Sequence, residues 1–158
     1  MRRVLAAVVT TALALSLTSC AAGPNAETRR IAQVTDGVEK AVKTGGVDIR
    51  IANIKVIATE TGDAVLIGTL VNRGAENDTL LGASINGTQA TITGLTELVQ
   101  NKPITFEGDV ANAKGVVKGA NLVPGTRVEV LIGFAKSGLI TLDAIVRDKS
   151  DYYSNINS

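Results

Sequence analysis

The chain has 158 residues, 45% of them hydrophobic, with 16 basic against 15 acidic groups and a net charge of +1; that is room for one ordinary domain. It contains no histidine and no tryptophan, one cysteine, Cys20, and one methionine, Met1, which excludes a Ser-His-Asp or Cys-His catalytic apparatus and imidazole ligation of zinc or copper. The aromatics are Phe106, Phe134, Tyr152 and Tyr153, and beyond residue 20 the only adjacent basic pair is Arg29-Arg30, so a nucleic-acid-binding face has neither a basic stripe nor a stacking platform.

Residues 1–19 read as a targeting segment. Arg2 and Arg3 make a basic start, Val4 to Leu17 is an apolar run, and small residues follow, the layout of a secretory signal peptide. The run is too short, and too soon followed by polar sequence, to span a bilayer comfortably. Leu17-Thr18-Ser19-Cys20 resembles a bacterial lipobox. That resemblance implies cleavage between Ser19 and Cys20 and a diacylglycerol group on the Cys20 sulfur. A single exported cysteine has no disulfide partner within the chain, and an unmodified one would be a reactive liability. Two acyl chains anchor firmly where one is marginal, each buried methylene adding about 0.8 kcal/mol. Loss of Arg2 and Arg3 leaves fourteen basic against fifteen acidic groups, near −1.

Residues 20–46 are expected to be the lipidated cysteine, a flexible tether and a lead-in. The stretch AAGPNAETRR is small and polar. In IAQVTDGVEKAVKTGGVDI, the residues Val34, Val38, Ala41 and Val42 fit a short helix, but Gly37 and Gly45-Gly46 interrupt it, so an extended or irregular path fits as well.

From Val47 the hydrophobic period is two. In VDIRIANIKVIA, Val47, Ile49 and Ile51 share one face while Ile54 and Val56 take the other parity; a bulge near Ala52-Asn53 lets both sets face one core. AVLIGTLVN, TLLGASIN and QATIT follow, and Asn86-Gly87 is a hairpin signal because a type I′ turn needs positive φ at both central residues. PITFEG and KGVVKG are short strand candidates, and the chain closes in a hairpin of TRVEVLIGF and GLITLDAIVR. In that hairpin Val128, Val130, Ile132 and Phe134 alternate inward, as do Ile140, Leu142, Ala144 and Val146. Seven to eight short strands and no long helix predict an all-β, antiparallel β-sandwich over 47–147, with 148–158 a frayed polar tail.

Three loops carry paired carboxylates: Asp36 with Glu39, Glu60 with Asp63, and Glu76-Asn77-Asp78. Such pairs can serve as acid and base or hold a hard cation. They are also what solvated turns between strands contain. No phosphate-cradling glycine motif is present, and no nucleophile can be paired with a base.

GTLVNRGAENDTLLGASI, residues 68–85, has a strand ending in Asn-x-Gly, an acidic loop, and Asp-x-Leu before the next strand. NLVPGTRVEVLIGFAKSGLITLDAIV, residues 121–146, has a glycine turn leading to a closing hairpin. Both resemble the PCuAC-like periplasmic copper chaperones, and with the Cys20 pattern the chain looks like the lipid-anchored actinobacterial branch of that family. The resemblance implies an immunoglobulin-like or cupredoxin-like sandwich over Val47 to Val146. It also implies a histidine near Gln89 to Thr93 and a His-x-Met pair near Gly115 to Lys118, where this chain reads QATIT and GVVK. Neither stretch offers imidazole or sulfur, so no metal and no cofactor is expected.

The expectation is thus a non-catalytic lipoprotein on the extracytoplasmic face of the cell membrane, serving as a binding or accessory module for an envelope membrane-protein complex, with respiratory complexes among the candidates. The alternative is a binder of a small ligand or hard cation through acidic loops such as Glu76, Asn77 and Asp78, or a divergent metal chaperone.

Overall fold

The computed structural model describes residues 36–106 and 108–158. The expected signal peptide, the Ser19-Cys20 cleavage and lipidation site and most of the tether lie outside the described residues. Among the described residues eleven strands form: β1 (Val38–Thr44), β2 (Val47–Ala58), β3 (Ala64–Asn72), β4 (Asp78–Ile85), β5 (Thr88–Gln89), β6 (Thr91–Gly94), β7 (Glu97–Leu98), β8 (Ile104–Phe106), β9 (Ala113–Val117), β10 (Arg127–Phe134) and β11 (Gly138–Asp148). Their order is β5-β4-β10-β11-β2-β3-β8-β9-β6, with β1 added to β2 and β7 to β4, and the sheet nearly closes into a barrel. The pairings are antiparallel except for β11 with β2 and the single Phe106–Ala113 pair of β8 with β9. The all-β, sandwich-like fold class stands. The strand count exceeds the expected seven to eight because β1 forms within the expected lead-in, QATIT divides between β5 and β6, and β7 is added; β5 and β7 are two residues long, too short to display a period.

The closing hairpin alternates as its sequence dictates. Val128, Val130, Ile132 and Phe134 on β10 and Ile140, Leu142, Ala144 and Val146 on β11 are all buried, in register from Val128–Ala144 to Phe134–Gly138. Phe134 is 2% exposed in the main core, whereas Glu129 faces solvent. Phe134→Ala is therefore expected to cost about 3 to 5 kcal/mol and Glu129→Ala under about 0.5 kcal/mol. Denaturant melts of the two variants check this, and equal losses would mean that the inward face is wrongly assigned.

The bulge lies where the parity change in β2 requires it. The ladder with β3 shifts register between Ala52 and Lys55, and Asn53 adopts a φ of 58°, a conformation that asparagine tolerates better than most residues. Ile51 and Ile54, of opposite parity, are in consequence 1% and 0% exposed in one core. At the β4–β5 turn, Asn86 and Gly87 have φ of 50° and 78° and join the pairs Ile85–Thr88 and Ser84–Gln89, a tight two-residue hairpin.

Two boundaries differ from expectation. The sheet begins at Val38 rather than Val47, because Gly45-Gly46, expected to interrupt a helix, is a hairpin loop: both have positive φ and Thr44 pairs with Val47. The tail is not frayed either. After β11 it makes a 3-10 turn at Asp151–Tyr153 and buries Ile156 to 8% exposure. Ile156 and Tyr153 cover a second apolar cluster, Ile57, Val65, Ile67 and Val116, on the sheet face opposite the main core.

Candidate functional site

Glu76, Asn77 and Asp78 do not converge. Glu76 is exposed and pairs with Lys136 at 3.3 Å, and the Asn77 amide donates to Glu97 Oε1 at 3.3 Å. Asp78, opening β4, is 2% exposed. Its Oδ1 accepts from the backbone N–H of Thr79 at 2.7 Å and of Lys136 at 2.8 Å; its Oδ2 accepts from the N–H of Ser137 at 3.0 Å and its hydroxyl at 2.8 Å. Burial pushes this carboxyl up, but the donors from Lys136, Ser137 and Thr79 outweigh it and hold it below the usual carboxylate range. Four donors saturate the two oxygens. Asp78 ties the β10–β11 turn to the start of β4 and has no lone pair left for a cation.

Asp63 does the same work at the other end of the sheet, beside the end of β2 with which the far end of β11 pairs. The Lys118 ammonium reaches Oδ2 at 2.9 Å, the Gly119 N–H reaches Oδ1 at 3.0 Å and the Thr61 hydroxyl donates at 3.3 Å. Lys118, then Gly119 and the Ser158 side chain hold the Asp63 carboxyl well below its ordinary range against a smaller opposing effect of burial. Of the remaining acids, Asp36 pairs with Arg147 at 3.5 Å, and Glu39 and Glu60 are exposed. Among the described residues no three His, Cys, Asp or Glu side chains come together as a metal-holding group.

The two stretches where the family resemblance places copper ligands do meet. β6 and β9 lie side by side, with Thr91 opposite Val116, Ile92 opposite Gly115 and Thr93 opposite Lys114. Ile92 packs on the main core while Val116 belongs to the cluster on the other face, so Thr91 and Thr93 share that other face with Lys114 and Val116. Two hydroxyls, an ammonium and an aliphatic chain are poor partners for Cu(I), which favours thioether, thiolate and imidazole. The residues present do not fit a copper centre.

One residue that the sequence reading passed over organises this end of the fold. Asn72, 0% exposed at the end of β3, accepts from the N–H of Asp48 at 3.2 Å and of Gly74 at 3.0 Å, and donates to the carbonyls of Glu76 at 2.6 Å and Leu98 at 3.1 Å. It joins β2, β7 and the loop after β3. The glycine of Asn-x-Gly has its own reason: a Cβ on Gly74 would collide with the Gly46 carbonyl and the Asp48 amide. The motif that carries the family resemblance is thus a structural staple, and its signal in the sequence was an asparagine at an inward-facing strand position.

No family model matches the chain and no curated protein matches it. Among solved structures it is similar to the apo PCuAC domain from PmoF1, at 20% identity and a TM-score of 0.56, covering 69% of this chain and 99% of that one. It is also similar to the copper-bound PCuAC domain from PmoF2, at 21% identity and a TM-score of 0.56 over 70% and 98%, and to the apo PmoF2 PCuAC domain, at 18% and 0.55 over 71% and 98%. The chain has a PCuAC-like β fold.

Proposed function

We propose that this chain is a lipid-anchored module on the extracytoplasmic face of the cell membrane that works without catalysis, by contact with an envelope membrane protein. The observation that carries the reading is the β6–β9 pair. A scaffold of PCuAC type presents Thr91, Thr93 and Lys114 there, groups suited to contact and not to holding copper, beside Val116, which the tail cluster buries. The acidic loops add to it, since Asp63 and Asp78 spend their oxygens on turn N–H groups and neighbouring side chains, which leaves the cation reading without a site at either. The anchor is Cys20, acylated on its sulfur and made the first residue by cleavage at Ser19-Cys20, and the actinobacterial lipoproteins are the branch whose pattern it follows. A respiratory complex is the class of partner that the family resemblance suggests.

Crosslinking in intact membranes, followed by recovery of the chain, tests this reading. The expected product is a discrete adduct with an integral membrane protein, unchanged when copper is chelated during growth. Recovery of the uncrosslinked chain alone at every spacer length would overturn it.

A further inference from the structure

The outer face of the sheet carries an apolar cluster that a water-exposed β-surface would not tolerate bare. Ile57 of β2, Val65 and Ile67 of β3 and Val116 of β9 form its floor, and Tyr153 and Ile156 of the tail cover it. Lys55, next to Ile57 on this face after the bulge, is only 5% exposed. Its ammonium donates to the Tyr153 hydroxyl at 2.9 Å, so Tyr153 is held at its polar tip while its ring packs on the apolar cluster.

The tail is held differently from a strand. Its backbone hydrogen bonds are local, Tyr153 to Ser150 and Ile156 to Tyr153, and its attachments to the sheet run through side chains. Such a segment can leave without breaking a ladder, because β2, β3 and β9 keep their mutual pairing. Nor does it fill the face. A groove of about 630 Å³ runs beside it, bounded by Lys55, Ile67, Asp109, Tyr153, Asn155 and Ile156, a size in the range of sites that hold small ligands or side-chain anchors.

We propose that this face is a peptide-docking site which the chain's own C-terminal segment occupies in cis. The occupant it takes from a partner is a turn-forming segment carrying a tyrosine and, three residues later, a branched aliphatic residue, as the tail does, which displaces Tyr153 and Ile156. The tail states the chemistry: a phenol hydroxyl for Lys55 and an aliphatic side chain for the Ile57, Val65, Ile67 and Val116 floor. The groove states how a partner competes. A cis segment acts at a millimolar-scale effective concentration, and a partner that also fills the space beside it gains contacts that the tail does not make. The proposal rests on the reading that the chain works by contact, and it names the face.

The test uses the full chain and a synthetic peptide, DYYSNINS, of the tail sequence. Ile156→Asp places a charge over the apolar floor and should release the tail. The peptide is expected to bind this variant at least ten times more tightly than it binds wild type, and a peptide with alanine at the second tyrosine should lose that binding. If Ile156→Asp fails to fold, Tyr153→Ala in the full chain removes the Lys55 anchor without adding charge and carries the same expectation. Equal binding to wild type and variant, or binding to neither, overturns the proposal. So does a dimer of wild type that exchanges tails, which would give the face to a second copy. A failure here alongside a discrete membrane-protein crosslink would remove the face and leave the contact reading standing.

Discussion

Asn72→Ala is expected to lower the free energy of unfolding by roughly 2 to 4 kcal/mol, since it strands one buried and three half-buried backbone groups at once. The N–H groups of Asp48 and Gly74 lose their acceptor, and the carbonyls of Glu76 and Leu98 lose their donor. Domains of this size are stable by only about 5 to 15 kcal/mol, so the variant sits near the edge of folding at physiological temperature. Asn72→Asp is the sharper variant because it keeps the shape and reverses half the chemistry. Its second oxygen faces the two carbonyls, and burial together with those carbonyls raises the folded-state pKa. As pH rises past about 4 the unfolded chain ionises first, so stability falls until the folded group ionises too. Asn72→Asp is therefore expected to be less stable at about pH 7 than at about pH 5. Urea melts at the two pH values check it, and a variant as stable as wild type at neutral pH would show that the amide does not hold these four partners.

Asp78 completes the comparison. It lies six positions along the same loop, and all of its partners are donors, so an acid belongs there as an amide belongs at 72. Its lowered pKa, like that of Asp63, contributes stability above the ordinary carboxylate range, lost as pH falls below about 4 toward the folded-state values. Between about pH 7 and pH 5 Asn72→Asp should thus gain stability, whereas the carboxylates that it shares with wild type lose theirs only below about 4.

Asn72 and Asp78 differ sharply from the elements that could be read in the sequence. The inward sets of β10 and β11, the bulge at Asn53 and the Asn86-Gly87 turn were legible because each follows from a local rule: a period of two, a change of parity, a need for positive φ. The β1 strand was not, since five of its seven residues are exposed and none is fully buried, which erases any alternation. The role of Asp78 was hidden for a different reason. Its partners Lys136 and Ser137 lie 58 and 59 residues away, and no local pattern tells a carboxylate awaiting backbone donors from one facing water. The docked tail is masked by its polar composition, although Tyr152 and Tyr153 are two of the four aromatics in the chain, a concentration that a merely solvated end has no use for. At the β6–β9 pair the sequence told more than the fold. The missing imidazole and sulfur are plain in QATIT and GVVK, and the structure adds that the two stretches are neighbours.

If Cys20 is the proposed anchor, Cys20→Ala is expected to abolish lipid attachment outright, because one sulfur would carry the whole of it. The residue lies outside the described part of the structure, and the proposed role rests on its chemistry. Sulfur is the nucleophile that takes the diacylglycerol group, and neither a methyl group nor the hydroxyl of Cys20→Ser replaces it. A pair of acyl chains, at about 0.8 kcal/mol per buried methylene, supplies far more binding than a near-neutral domain draws from an anionic bilayer surface. Without acylation, cleavage between Ser19 and Cys20 should also stop, so the variant appears as an uncleaved precursor or as protein shed into the medium. Metabolic labelling with an alkyne fatty acid, read on the purified chain, decides the matter. Wild type should carry label and Cys20→Ala should not; label surviving on Cys20→Ala would place the acylation elsewhere and leave the only cysteine without a role as the anchor.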